Sequence, residues 1–108
     1  MNETDRLIEE QKNQLPSKLL RAIEATPWKS TLQNIGKDNG LDTDQIISLE
    51  QETMFIIYGF ENPQDYITNV IQEVGVTEEM TYTIAESVVN KIFDPIMKKV
   101  EEYGPPSA

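Results

Sequence analysis

The chain has 108 residues, with 19 acidic against 9 basic side chains, a net charge of −10, and neither histidine nor cysteine. That length suits one domain with a real core. The missing residue types exclude Ser-His-Asp and Cys-His nucleophile pairs, Cys/His zinc sites, iron–sulfur clusters and disulfides, and no metal or other cofactor is expected.

The first fourteen residues are polar apart from Leu7 and Ile8 and read as a frayed or flexible arm, 1–14, with one helical turn or more as the alternative. Pro16 opens a first helix over 16–25, with Leu15, Leu19, Leu20 and Ile23 at helical spacing; it ends there because Pro27 disfavours helix at Thr26. Thr26-Pro27 reads as N-cap plus first position of a second helix, with Trp28, Leu32 and Ile35 on one face and a stop at Asn39-Gly40. Asp42 or Thr43 caps a third. Its first half is amphipathic, its second half, Met54 to Tyr58, almost wholly apolar, and that second half is expected to be the most buried part of the fold.

Asn62-Pro63 repeats the cap-plus-proline signal for a fourth helix carrying Tyr66, Ile67, Val70, Ile71 and Val74 up to Gly75. Thr77-Glu78-Glu79 starts a fifth, with Ile84, Val88, Ile92, Ile96 and Val100 four residues apart; Asp94-Pro95 predicts a kink or a short break in it. Gly104 onward, 104–108, reads as a disordered tail. No strand pattern is present. The expected fold is all-α, a five-helix bundle spanning 15–103. No stretch approaches the roughly 20 apolar residues of a membrane span, and the N-terminus lacks a signal pattern, so a cytoplasmic setting is the expectation.

A shift of 35 residues lays the second and third helices on the fourth and fifth. Ile35 meets Val70, Gly40 meets Gly75, Asp42 meets Thr77, and Leu49 meets Ile84. Two readings stand side by side: a tandem duplication, or two capped αα-hairpins that look alike because capping rules repeat.

Charge is unevenly placed. Residues 1–37 have a net charge of +1 and 91–108 are neutral, whereas 38–90 contain no Lys or Arg and eleven acids: Asp38, Asp42, Asp44, Glu50, Glu52, Glu61, Asp65, Glu73, Glu78, Glu79 and Glu86. Such a block cannot neutralise itself through i,i+4 pairs and projects a negative field. It either keeps the surface solvated or meets a partner with a basic surface. Direct nucleic-acid binding and anionic membranes are disfavoured by the same charge.

Motif tests narrow the chemistry. The run Asp38-Asn39-Gly40-Leu41-Asp42-Thr43-Asp44 resembles a calcium loop, but Thr43 stands where the turn needs glycine and Leu49 where the last ligand belongs. The run from Asn39 to Thr43 with Leu49-Glu50 is similar to the attachment segment of acyl carrier proteins, yet Gly40 occupies the position of the modified serine. Glu50/Glu52 and Glu78/Glu79 do not share a helix face, so they read as solvated acids and not as acid–base pairs. A hydrolase or transferase would need a deep cleft with converging carboxylates of raised pKa. Trp28, Phe55, Tyr58 and Tyr66 read as core aromatics. Phe60, after Gly59 in an interhelical loop, is the aromatic candidate for partner contact.

The segments IGKDNGLDTDQI, YGFENPQDYI and VNKIFDPI, within Leu15 to Val100, resemble a small helical domain recurring in uncharacterised bacterial proteins. That resemblance implies an all-α fold and a bacterial or phage-like source, and no activity. The expected function is a non-enzymatic protein-interaction or structural module presenting acidic surface, with the eleven acids and Phe60 as contact candidates. The alternative is an acidic mimic of nucleic acid that occupies a basic groove. Self-association stays open, since the apolar stripes are wide.

Overall fold

The structure, a computed structural model, describes residues 2–103. The expected tail 104–108 lies outside them. The described residues are helical, without strands: α1 Glu3–Gln14, α2 Ser17–Ala25, α3 Trp28–Asp38, α4 Thr43–Ile57, a 3₁₀ turn Pro63–Asp65 leading into α5 Tyr66–Val74, then α6 Glu78–Val88, a π segment Val89–Phe93 and α7 Asp94–Glu102. The last three run on as one rod, so the described residues form six helices and not five.

The additional helix is α1, on residues expected to be a flexible arm. Asn2 caps it by accepting from the Asp5 N–H, and Arg6–Glu3, Arg6–Glu10 and Lys12–Glu9 pairs brace its surface. Although α1 buries no residue, Gln11 Nε2 donates to the Tyr58 carbonyl at 2.8 Å and the Lys12 ammonium lies 5.2 Å from the Tyr58 ring centroid. Local charge pairs of this kind are worth only tenths of a kcal/mol each. The anchors on Tyr58 supply what the apolar content of α1 lacks.

Helices α3 to α6 close a ring in which α3 packs on α4 and α6, and α5 packs on α4 and α6, while α2 covers α7. The core runs through the middle of the ring: Leu32, Leu49, Val70, Ile84, Val88 and Ile92 are fully buried. α3 ends in a Schellman motif, the Leu41 N–H reaching the Gly36 carbonyl and the Gly40 N–H the Lys37 carbonyl, with Gly40 at φ +74°. Gly36 lies against Ile46 of α4. A Cβ there would sit 2.7 Å from Ile46 Cγ1.

Two local expectations change. Thr26 does not cap α3, which starts after Pro27 without a side-chain cap; its hydroxyl donates instead to the Ala22 carbonyl and finishes α2 from a buried position. The apolar end of α4 is not its most buried part. Leu49, Glu52 and Thr53 are buried, whereas Met54 to Ile57 are half-buried and of the expected stretch only Tyr58, at the C-cap, is buried.

At Pro95 the rod neither breaks nor loses its stripe. A four-residue apolar spacing overruns a 3.6-residue turn by about 40° per step, so Ile84 and Val100 would drift apart around an ideal helix. The π segment, with the Asp94 N–H bonded to the Val89 carbonyl, takes up about one residue of that drift. Ile84, Val88, Ile92 and Ile96 therefore all stay buried.

Candidate functional site

The eleven acids separate into groups set by the hairpin geometry. Asp42 and Thr77, the N-caps of α4 and α6, accept from the Gln45 and Met80 N–H groups, and Gln45 completes a capping box. Gln45 Nε2 reaches the Val74 carbonyl at 3.3 Å, and one shallow cavity is lined jointly by Asn39, Thr77, Glu79, Met80 and Thr83. The two hairpin loops thus adjoin at one end of the ring. Asp38, Asp42, Asp44, Glu78 and Glu79 are all exposed there. Helix N-termini favour such charges through the macrodipole, which accounts for four of the five. Among the described residues, none of the eleven acids is in an ion pair.

A second group lies between α4 and α5. Glu52 is 6% exposed, and its Oε2 has no hydrogen-bond partner. Burial chiefly, then the charge of Glu61 and a hydrogen bond shared with it, then the charge of Glu73, push the Glu52 carboxyl up to about 7. Glu61 is itself held by Asn69 Nδ2 at 3.0 Å. Next along α4, Thr53 Oγ1 and the Tyr66 hydroxyl are 2.7 Å apart in the core, and burial pushes the Tyr66 phenol up to about 12.

Glu52 is therefore not one of the solvated acids expected from the sequence. Leu49 and Ile56 stand three before and four after it, which puts it on the apolar face of α4 by spacing alone. Glu52 and Glu61 are converging carboxylates, one of them with a raised pKa, and neither lines the cavity between the hairpin loops. Glu50, half-buried on α4, belongs to neither group, and Asp65 and Glu86 stand exposed on the 3₁₀ turn and α6.

Phe60 is 41% exposed, its ring edge-on to Phe55 with centroids 6.0 Å apart. Of the expected core aromatics Trp28, Tyr58 and Tyr66 are buried, whereas Phe55 is half-buried. Sequence reading overlooked an apolar groove. One cavity of about 250 Å³ is lined by Leu19, Ile23, Ile56, Ile57, Pro63, Phe93, Ile96 and Met97. A second, of about 260 Å³, shares Ile56, Pro63 and Phe93 with it and extends to Tyr66, Ile67, Ala85 and Val89. The half-buried apolar end of α4 forms its floor. No helix of the described residues is long and apolar enough to cross a membrane, and no group of three or more carboxylates among them is placed to hold a metal ion. Comparison with known protein families, with curated proteins and with solved structures finds no match for this chain.

Proposed function

We propose that this protein is a non-enzymatic protein-interaction module that presents its acidic loop end to a basic protein surface. The observation that carries the reading is the adjoining pair of hairpin loops, where Asp38, Asp42, Asp44, Glu78 and Glu79 stand exposed with no cation among the described residues in an ion pair with them. Unpaired like charges on adjoining loops raise the local potential and speed the approach of a cationic partner. Calcium is not the partner suggested, because Asp42 is already engaged as a helix cap.

The two hairpins themselves read as copies of one 35-residue unit, with α2 covering one end. Gly40 and Gly75, 35 residues apart, have φ of +74° and +76°, and Asp42 and Thr77 at the same offset make the same cap bond.

Affinity capture with the wild type and with the triple variant Asp38→Asn, Asp44→Asn, Glu79→Gln tests the interaction reading. These side chains are exposed and carry no cap bond, so the fold should persist. A partner retained by the wild type and lost from the variant is the expected result; retention by both, or by neither, rejects the loop end as the contact surface. A captured nucleic-acid enzyme released steeply by salt would turn the reading to a nucleic-acid mimic.

A further inference from the structure

We infer that a proton shared between Glu52 and Glu61 latches the corner that joins α4 to α5, and that its loss opens the loop carrying Phe60. This corner is neither of the two hairpin loops of the acidic end. Of residues 59–62 only Glu61 turns inward: Gly59, Phe60 and Asn62 are exposed, and Glu61 is half-buried. Its Oε2 accepts from Asn69 Nδ2 of α5 at 3.0 Å, and its carboxyl shares a hydrogen bond with Glu52 of α4. One side chain therefore ties the loop to both helices. On the main chain the Phe60 and Glu61 N–H groups both donate to the Phe55 carbonyl, at 2.7 and 3.2 Å, and the Phe60 ring rests edge-on against Phe55.

The pair cannot hold without a proton. An ionised carboxylate only accepts, so two carboxyl groups bond to each other only when one of them is protonated. Glu52 is the member that keeps the proton: it is 6% exposed and its Oε2 is enclosed without a partner, so a charge there would have neither water nor a donor. Glu61 has the Asn69 amide as donor and carries the charge. Burial, then the charge and hydrogen bond of Glu61, then the charge of Glu73 on α5 hold the proton on Glu52, and the Tyr66 phenol of α5 feels the Glu52 charge in turn. α3, also packed on α4, carries Lys29, Lys37 and Asp38, and α1 brings Asp5, Glu9 and Lys12 to Met54 and Tyr58; none of these is among the charges that act on Glu52. As pH rises through about 7 the carboxyl gives its proton to solvent and two carboxylates face each other. The shared bond is lost, and the Glu52 charge gains water only when Glu61 swings out with its loop. Phe60 is then held by a closed corner below that pH and by an open one above it.

The test is amide hydrogen exchange by NMR on the full chain, with each rate taken relative to that of an unstructured peptide at the same pH. Between about pH 6 and about pH 8.5, protection of the Phe60 and Glu61 N–H groups is expected to fall at least about tenfold in the wild type, because each pH unit above the midpoint favours the open form about tenfold. The Leu49 and Ile84 amides, inside the ring, are expected to lose less. Glu52→Gln and Glu61→Gln each put a neutral amide donor into the pair, so both are expected to hold the two loop amides constant within about twofold over the same range. Circular dichroism verifies that both variants fold. A fall confined to the loop amides and abolished by both substitutions supports the latch. Absence of protection at the loop amides at about pH 6, no fall in the wild type, a fall that persists in either glutamine variant, or an equal loss at loop and ring amides overturns it.

Discussion

The two halves of α4 invert the expectation that the more apolar stretch is the more buried. Met54 to Ile57 are apolar without interruption and half-buried, whereas the mixed stretch before them supplies Leu49, Glu52 and Thr53 to the interior, and Ile47 within it is 59% exposed. Burial follows what packs against a segment. α4 packs against α3 and α5, and its apolar end supplies Ile56 and Ile57 to the lining of the groove.

The strongest test of that contrast removes one side chain from each half. Leu49→Ala should cost about 3 kcal/mol in urea denaturation, because a fully buried leucine leaves a cavity in the ring. Met54→Ala should cost about 1 kcal/mol, its half-exposed side chain having less contact to lose. Equal costs would remove the distinction between the halves.

The buried acid of the first half gives a pH signature. A Glu52 carboxyl at about 7 in the fold lies above its ordinary value of 4.5, so the native state binds the extra proton. The resulting stability is fully present below about pH 4.5 and is lost as pH rises through about 7. Glu52→Gln, which keeps the shape without the charge, should flatten that part of the stability-versus-pH curve and be the more stable protein at pH 8. Parallel curves for wild type and variant would place Glu52 in contact with water.

The smallest effect is expected at the start of the helix. Asp42→Ala removes the acceptor for the Gln45 N–H and should cost about 1 kcal/mol by thermal or urea unfolding. Salt should change that cost little if the hydrogen bond dominates and markedly if the charge does.

Much of the fold was legible along the chain because capping is local. Asp42, Asn62 and Thr77 accept the N–H groups that their positions before a helical stripe imply, and Gly40 and Gly75 take the left-handed conformation that ends α3 and α5. α1 was harder to read, since its hold on Tyr58 comes from a residue 47 positions away. Thr26 differs from the expectation because its hydroxyl, which as an N-cap would accept an N–H of α3, instead donates to the Ala22 carbonyl of α2. Of the site candidates, the loop acids were readable as exposed and Phe60 as accessible, while the pairing of Glu52 with Glu61 was not.

By itself, the sequence determined the helices from α2 onward, the caps at Asp42, Asn62 and Thr77, the stops at Gly40 and Gly75, and the cation-free block from Asp38 to Asn90, for these depend on neighbours within a turn or on composition. Only the tertiary structure decided that the two hairpin loops adjoin, that Glu52 is enclosed beside Glu61, and that the apolar end of α4 is left as the floor of a groove. Those outcomes follow from which helix faces meet across the ring, a choice made by packing between residues far apart in the chain.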